Sequence, residues 1–320
     1  MFKKNFSLRI AMFTALSLVL FASQSNTRPT MASGSGAGAT APPDVQEKHV
    51  FVVMLENHSY SSVIGNPYMP YLNGLAKKYA YAKWYFASTH PSIGNYFSIT
   101  AGHTITNNDG YTATVTADNI VRHLNAAGKT WKEYTEGIPY VGYVGGDSGE
   151  YTEHHNPLSY FSDVRNSAAQ RQNLVPFTQL ASDTLNHRLP QFSFIVPDND
   201  DNGHDCPDAI PTCNDNQRLA AVDTWLQTNM QPLIGSADFS GTHGGLLVIV
   251  FDEAATSDTQ YGGGHVAWVA VGPDVKRGYS SNLFYSHPST LRFISEAMGL
   301  TTFPGNAATA SDMEEFIIGD

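Results

Sequence analysis

The sequence has few cysteines, few basic residues and no long hydrophobic segment. Two of its 320 residues are cysteine, too few for a disulfide-rich scaffold, and a zinc site normally needs more ligands than two cysteines supply. Lysine and arginine total 18 against 29 acidic residues, giving a formal net charge of −11. That balance argues against a nucleic-acid partner, whose phosphates would be repelled. A phosphate substrate remains compatible, because a bound cation reverses the local field.

The most apolar run is Ile10–Ala22, which is shorter than the roughly 20 residues that a membrane-spanning helix needs. Basic residues precede it, so it predicts a signal peptide over 1–24 and a secreted or periplasmic protein. An uncleaved anchor is the alternative. A lipoprotein anchor is disfavoured, because no cysteine lies near the cleavage region. Residues 25–46 are rich in Ser, Gly, Ala, Thr and Pro and predict a disordered leader.

Residues 47–320 contain no repeat and no linker and are predicted to form one domain. In an exported protein, Cys206 and Cys213 are expected to form a local disulfide. Continuous apolar, β-branched runs alternate with amphipathic segments, which predicts an α/β fold with a mainly parallel central sheet flanked by helices. The predicted strands are 49–55, 81–88, 129–135, 192–196, 246–251 and 267–271. The predicted helices are 69–79, 92–100, 117–127, 177–189, 216–234 and 288–300.

Acidic and amide residues follow three of these strands. Glu56 and Asn57 follow the first, a run of acids follows the strand ending at Val196, and Asp252 and Glu253 follow Phe251. Ligands of parallel sheets bind at the carboxyl ends of strands, and oxygen ligands suit a divalent cation. The alternative is that each pair is an ordinary turn or helix cap. The repetition of the pattern on three strands favours a metal site.

Two histidines extend this candidate metal set. Asp200 and His204 are four residues apart, which on a helical turn would place both side chains on one face. Asp198, Asp201 and Asp205 lie in the same stretch, and the sequence does not distinguish which acids coordinate. His265 follows three glycines, which let a backbone approach an ion closely, although a flexible hairpin with an incidental histidine is the alternative.

Ser92 lies where a predicted strand turns sharply into a helix. A serine hydroxyl needs a base or a metal to become a nucleophile, and the free N–H groups of a helix start favour a phosphate oxygen. The alternative is a simple helix N-cap. Asn95, one turn further, could hydrogen-bond a phosphoryl oxygen. His154, His155 and Asn156 lie in an aromatic, loop-rich insertion expected to cover the site, and could bind substrate oxygens or protonate a leaving group.

Several motifs together resemble the phosphoesterase family that contains bacterial acid phosphatases and phospholipases C, within the alkaline-phosphatase-like superfamily. They run in family order as MLENHSY, HPSIGNYFSITAG, HHNPLSYF, FIVPDNDDNGHDC, VFDE, GGGHVAWVAVGP and YSHPSTLR. The resemblance implies a doubly wound α/β fold and metal-assisted attack on phosphorus by Ser92. It also implies a metal set, while Asn95 and His155 are assigned from the residues themselves. The catalytic residues would be Ser92, Asn95 and His155, and the metal residues Glu56, Asn57, Asp200, His204, Asp252, Glu253 and His265. Gly94 departs from the family, which usually has proline there.

The expected function is therefore that of a secreted, metal-dependent phosphoric-ester hydrolase that forms a phosphoserine intermediate. Phosphomonoesters are the favoured substrates, which makes acid phosphatase the leading activity. A phospholipase C acting on membrane phospholipid is the alternative within that class. A secreted metal- or ligand-binding protein without activity is the alternative outside it. A sulfatase is disfavoured, because SIGN lacks the proline and arginine of the sulfatase signature. The metal could be Zn, Ca, Mn or Fe, and no protein partner is expected.

Overall fold

A computed structural model describes residues 48–319. The predicted signal peptide and the whole of the predicted leader lie outside these residues. No helix in the described part of the chain combines the length and apolar character needed to cross a membrane.

The core is one eight-stranded sheet with the order β4-β3-β5-β1-β6-β7-β2-β8. The strands are β1 His49–Leu55, β2 Ala80–Phe86, β3 Trp131–Thr135, β4 Leu174–Pro176, β5 Phe192–Val196, β6 Gly245–Phe251, β7 Trp268–Val271 and β8 Tyr279–Ser286. Every residue of β5 and β6 is buried, as expected for continuous apolar runs covered on both faces. The predicted α/β class with a mainly parallel sheet is confirmed.

The exception to parallel pairing is β7, which runs antiparallel to both of its neighbours, β6 and β2. Two successive reversals leave β2 parallel to β6 and therefore to β1. The carboxyl ends of β1, β6 and β2 thus meet at one edge of the sheet. The residues that follow these three strands are Glu56, Asp252 and the turn that leads to Ser92.

Helices flank this sheet, with α3 packed against α11 and α2 against α9. The helices are α1 Tyr60–Val63, α2 Pro70–Lys78, α3 Ile93–Ala101, α4 Ile120–Ala126, α5 Ser162–Arg165, α6 Ala168–Arg171, α7 Gln179–Leu185, α8 Asn199–Asn202, α9 Asp215–Ile234, α10 Ala237–Ser240 and α11 His287–Ala297. Short 3₁₀ turns occupy Glu153–His155, Pro157–Tyr160, Gly305–Ala308 and Glu314–Phe316. The six predicted helices are all present, with ends shifted by a few residues.

Two strands were not predicted from the sequence. β4 has three residues, too few to show a period. β8 pairs with β2 alone at the edge of the sheet, and its exposed Asn282, Leu283 and Phe284 break the alternation expected of a half-buried strand. The predicted disulfide between Cys206 and Cys213 is confirmed.

Candidate active site

Ser92 and Glu56 meet at the carboxyl edge of the sheet, although 36 residues separate them in sequence. The Ser92 hydroxyl donates a 3.0 Å hydrogen bond to Glu56 Oε2, and both residues are buried. Ser92 stands at the N-cap of α3, but its side chain makes no capping hydrogen bond. Its hydroxyl therefore faces the carboxylate cluster rather than closing the helix.

Besides Ser92, three polar side chains lie against the Glu56 carboxylate. Tyr96 donates to Oε1 at 2.6 Å, Asn57 Nδ2 donates to Oε2 at 3.1 Å, and His155 Nε2 lies 3.2 Å from Oε1. Burial, followed by repulsion from Asp252, raises the pKa of Glu56 well above its usual value, although the Tyr96 hydrogen bond opposes the shift. The sequence did not assign Tyr96 to the site. Its place four residues after Ser92, on the same face of α3, was the available signal.

Asp252 and Glu253 complete the carboxylate cluster. Asp252 Oδ1 accepts from the Asn57 backbone N–H at 3.0 Å, while its buried Oδ2 has no hydrogen-bond partner among residues 48–319. Burial raises the pKa of Asp252 to about 6. Burial and then repulsion from Asp252 raise the pKa of Glu253 to about 8. The unpaired Asp252 oxygen is an acceptor that a divalent cation would satisfy, and the cation's charge would offset the cost of burying these carboxylates. The three carboxylates are not among the groups of residues 48–319 whose ligand atoms all lie within 4.8 Å of one another.

His287 and His90 support this cluster from outside. His287 is fully buried, its Nε2 lies 2.6 Å from the Asp252 carbonyl oxygen, and its Nδ1 lies 3.0 Å from the Tyr85 hydroxyl. His90 Nδ1 lies 3.1 Å from Glu253 Oε1. Neither histidine was assigned a site role from sequence, because each position depends on a strand far along the chain.

Asn95 holds the serine turn in place. Its Oδ1 accepts from the backbone N–H groups of Ser88 and Thr89, and its Nδ2 donates to the Thr89 carbonyl at 2.9 Å. A 3.4 Å hydrogen bond also joins Nδ2 to Glu253 Oε2. The side chain predicted to bind a phosphoryl oxygen therefore fixes the turn on which Ser92 sits, at the edge of the carboxylate cluster.

The glycine that departs from the family pattern is enclosed. A Cβ atom on Gly94 would lie 2.4 Å from Thr89 Cγ2 and 2.5 Å from Asn107 Oδ1. Both distances are far below van der Waals contact. Both atoms belong to side chains, so a side chain at position 94 would require Thr89 and Asn107 to shift.

His155 forms the opposite wall of the site. Its ring stacks on Tyr96 with centroids 5.1 Å apart, and neither ring nitrogen has an aligned hydrogen-bond partner in the described chain. Burial, with the neighbouring His154 and His204, lowers the pKa of His155 well below its usual value. This shift favours the neutral imidazole, which would present one N–H and one lone pair beside Glu56.

The structure does not place Asp200 and His204 on one helical face. α8 ends at Asn202, and Gly203 follows in the left-handed region with φ 100°. Asp200 Oδ2 accepts from the Asp208 backbone N–H. The His204 ring lies 6.5 Å from that of His155, centroid to centroid. His204 thus faces the histidine wall, while no hydrogen bond among residues 48–319 joins Asp200 to the carboxylate cluster.

The other acids of this loop form a separate group. Asp198 caps α8 by accepting from the backbone N–H groups of Asp200 and Asp201. Ligand atoms of Asp198, Asp201 and Glu136 lie within 4.8 Å of one another. Glu136 is already hydrogen-bonded to the Trp225 indole and the Asp198 backbone.

His265 lies in an aromatic stack. Its ring is parallel to Tyr60 at 4.3 Å and stacks on Phe86 at 4.8 Å, and its Nε2 lies 2.8 Å from the Lys83 carbonyl oxygen. No side-chain hydrogen bond in the described residues joins it to Glu56, Asp252 or Glu253. The glycines before it allow the backbone to pass the serine turn, since a Cβ on Gly263 would lie 2.3 Å from the Thr89 carbonyl oxygen.

Comparison with known proteins decides the family. The model described as the Phosphoesterase family matches residues 66–301. The chain belongs to the Phosphoesterase family. It is a hydrolase that acts on phosphoric ester bonds. Glu56 and Asn57 lie before the matched region, and the other candidate residues lie within it.

Members with curated names share about a third or less of their residues with this chain. The chain is 30% identical over 282 residues to a phosphatidylinositol-3-phosphatase of Mycobacterium tuberculosis, covering 87% of this chain and 86% of that one. It is 27% identical over 310 residues to an acid phosphatase of Aspergillus niger, covering 91% and 70%. Among solved structures, a protein of the alkaline phosphatase superfamily from Vibrio parahaemolyticus superposes with a TM-score of 0.60 at 12% identity, covering 81% and 69%. This likeness confirms the doubly wound alkaline-phosphatase-like fold.

Proposed function

We propose that this phosphoesterase is a metal-dependent phosphomonoesterase of the acid phosphatase type, with Ser92 as its nucleophile. The hydrogen bond from Ser92 to Glu56 carries the proposal, because it places a hydroxyl against a buried carboxylate at the start of a helix. The free N–H groups there suit the phosphoryl oxygens that the serine must approach.

In the proposed reaction, Ser92 Oγ bonds to phosphorus as the bond from phosphorus to the leaving oxygen breaks. The serine proton is released to solvent water as this bond forms, while Glu56 Oε2 keeps the serine oxygen in position through the hydrogen bond it accepts from Ser92. Water then hydrolyses the phosphoserine, which releases phosphate and restores the hydroxyl. Neutral His155 would donate its N–H to a phosphoryl or leaving oxygen.

The residues that would hold a divalent cation are Glu56, Asn57, Asp252 and Glu253. When bound, the cation would supply Lewis-acid stabilisation of charge on the phosphoryl oxygens. Asn95 orients this arrangement through its contacts with the serine turn and Glu253. Asp200 and His265 are less suitable as cation ligands, because Asp200 accepts a hydrogen bond from the Asp208 backbone and His265 Nε2 lies against the Lys83 carbonyl oxygen. His204 fits better as a substrate-facing residue beside His155.

A lipid phosphate ester is the second candidate substrate. It is favoured by the 30%-identical relative named phosphatidylinositol-3-phosphatase. A phospholipase C would also act on a lipid, but it would cleave the headgroup diester, which has a different leaving group. Hydrolysis of p-nitrophenyl phosphate reports monoesterase activity, and hydrolysis of its phosphorylcholine diester reports diesterase activity.

The deciding experiment compares purified wild-type protein with Ser92→Ala and Ser98→Ala. Ser98 is also buried on α3 but its hydroxyl does not face the cluster. We expect Ser92→Ala to lower kcat on p-nitrophenyl phosphate by about 10³-fold or more, and Ser98→Ala to leave kcat within about threefold. An active Ser92→Ala enzyme would remove the nucleophile assignment.

Metal dependence has its own test. Elemental analysis of the purified protein should find a divalent cation that is lost from an Asp252→Asn, Glu253→Gln variant of unchanged fold. Chelation should abolish activity and re-addition should restore it. Full activity in protein shown to be free of metal would overturn this part of the proposal.

Export is the last part of the proposal. It is supported by the apolar run over 10–22 and by the disulfide between Cys206 and Cys213. N-terminal sequencing of the protein from the medium or periplasm should begin after residue 22. Recovery of the intact N-terminus from the cytoplasm would contradict export.

A further inference from the structure

Three exposed aromatic rings surround a buried fourth ring beside the candidate active site. This aromatic patch consists of Trp84 and Phe86 on β2, Phe284 on β8 and Tyr261 in the glycine loop. Phe86 is 3% exposed and lies at its centre, with the rings of Trp84, Tyr261 and Phe284 at centroid distances of 6.1, 4.5 and 5.5 Å. The outer three rings are 50%, 63% and 42% exposed.

The patch is joined to the serine turn through the backbone. Phe86 ends β2, and the chain reaches Ser92 six residues later. On the other side, Tyr261 is followed by Gly262 and Gly263, and the Gly263 N–H donates to the Ala87 carbonyl oxygen at 3.1 Å. The exposed rings therefore lie at the same edge of the sheet as the nucleophile, and a body resting on them would also lie close to the site.

The chemistry of the patch matches an uncharged lipid surface. Its three segments, 80–89, 259–266 and 279–286, contain Lys83 as their one formally charged side chain, in a chain with 29 acidic residues. The adjacent Asp258 is turned inward, since its carboxylate accepts from the backbone N–H groups of Gln260 and His265. Tryptophan and tyrosine are the side chains that concentrate at membrane interfaces.

We propose that the aromatic patch binds the interfacial region of a zwitterionic lipid surface. This binding would hold the serine edge of the sheet against the lipid, so that phosphate esters carried by the surface reach Ser92 without leaving it. The consequence for catalysis rests on the proposed function, but the binding itself does not. Burial of the patch against the lipid would contribute favourably to the free energy of binding. The protein's net charge of −11 would not oppose this binding, because the surface has no net charge.

Tryptophan fluorescence isolates this patch. The protein has four tryptophans; Trp84 is 50% exposed, and Trp131, Trp225 and Trp268 are at most 5% exposed. Acrylamide quenching in solution therefore reports mainly on Trp84. Phosphatidylcholine vesicles should protect it from quenching and shift its emission to the blue, and the exported protein should sediment with the vesicles.

The variant pair is matched for lost apolar surface. Tyr261→Ser with Phe284→Thr removes two patch rings but keeps Trp84 and the buried Phe86. Tyr68→Ser with Leu185→Ser removes two side chains that are 51% and 81% exposed outside the patch. We expect the patch variant to bind vesicles about tenfold or more weakly, and the control to bind like wild type. All forms are purified after export and have the same processed N-terminus, so the difference reports the patch alone.

Hydrolysis of water-soluble p-nitrophenyl phosphate separates the two proposals. It should be equal in wild type, patch variant and control, which also shows that all three are folded. Unaltered vesicle binding by the patch variant, or no vesicle-dependent protection of Trp84 in wild type, would overturn the lipid-surface proposal while leaving the hydrolase intact. A dimer that dissociates in the patch variant without any vesicle binding would overturn it in favour of pairing between two copies. Absence of ester hydrolysis in wild type would instead count against the proposed function.

Discussion

Tyr96 and Ser92 donate hydrogen bonds to opposite oxygens of Glu56, at 2.6 and 3.0 Å. They lie four residues apart on one face of α3, so a single helix fixes both ends of the carboxylate. Glu56 in turn comes from the end of β1, the central strand that pairs with β5 and β6. The geometry of the serine therefore depends on how α3 docks against the sheet.

Tyr96→Phe tests the hydrogen bond from Tyr96 to Glu56. A hydrogen bond to a charged, buried group contributes about 1.5–3 kcal/mol, so we expect kcat to fall about 10- to 100-fold while KM changes less than about threefold. The phenyl ring keeps the stack on His155. Tyr160→Phe is the control, because Tyr160 is equally buried but donates to the Tyr111 carbonyl oxygen. Wild-type kcat in Tyr96→Phe would show that Glu56 needs no second donor.

Gly263→Ala tests the contact between the glycine loop and the serine turn. Its Cβ would lie 2.3 Å from the Thr89 carbonyl oxygen and 2.8 Å from the Thr89 nitrogen. The backbone must move, so we expect a loss of about 1–3 kcal/mol in the free energy of unfolding and a lower kcat. Gly74→Ala in α2 has nothing within 4 Å and should instead gain up to about 1 kcal/mol. Denaturant unfolding measures both, and equal stability of the two variants would contradict the close approach of the glycine loop to the serine turn.

Glu133→Gln tests a buried carboxyl away from the cluster. Glu133 lies on β3, is 1% exposed, and accepts one hydrogen bond from the Leu158 backbone. Burial raises its pKa to about 8, against the ordinary value of 4.5. Between these values the folded state binds one more proton than the unfolded state, so its contribution to stability is full below pH 4.5 and falls as pH rises to 8.

The expected size of that loss is about 5 kcal/mol over the whole window. The glutamine variant cannot ionise, so its free energy of unfolding should fall less between pH 5 and 8 than that of wild type. Glu150→Gln, at an exposed position, should keep the wild-type slope. Urea unfolding at several pH values provides the measurement, and parallel pH profiles for wild type and Glu133→Gln would show that Glu133 is ionised in the folded protein.

The double change Cys206→Ser, Cys213→Ser tests the role of the disulfide. The bridge joins residues seven apart, and closing so short a loop corresponds to about 2–3 kcal/mol. We expect a lower melting temperature with kcat on p-nitrophenyl phosphate preserved, because the bridge lies beyond the residues around Ser92. A loss of kcat without a loss of stability would show that this loop positions His204 for catalysis.

The paired residues after β1 and β6 could be predicted because they follow a strong local pattern. A fully apolar run predicts a buried strand, and the polar residues at its end are then placed at the carboxyl edge of a parallel sheet. The structure brings Glu56 and Asp252 together there, with Ser92 beside them. Their role in holding a metal remains a prediction.

The spacing of Asp200 and His204 was a weaker guide. It assumed a continuous helical turn, but α8 ends after Asn202, and the left-handed Gly203 redirects the chain. The glycine run before His265 was equally ambiguous. Its glycines permit the close approach to Thr89, and His265 itself packs between Tyr60 and Phe86.

The sequence by itself determined the alternation of strands and helices, the buried strands that end in acids, and the serine at a strand-to-helix turn. These follow from periodicity and composition over a few neighbouring residues. Only the tertiary structure decided that Tyr96 shares Glu56 with Ser92, that His287 supports Asp252, and that Trp84, Tyr261 and Phe284 form one surface. The first two relationships depend on how α3 and α11 pack against the sheet, and they span 40 and 35 residues. The aromatic surface depends on the antiparallel insertion of β7 and the addition of β8 at the edge, which bring together segments more than a hundred residues apart.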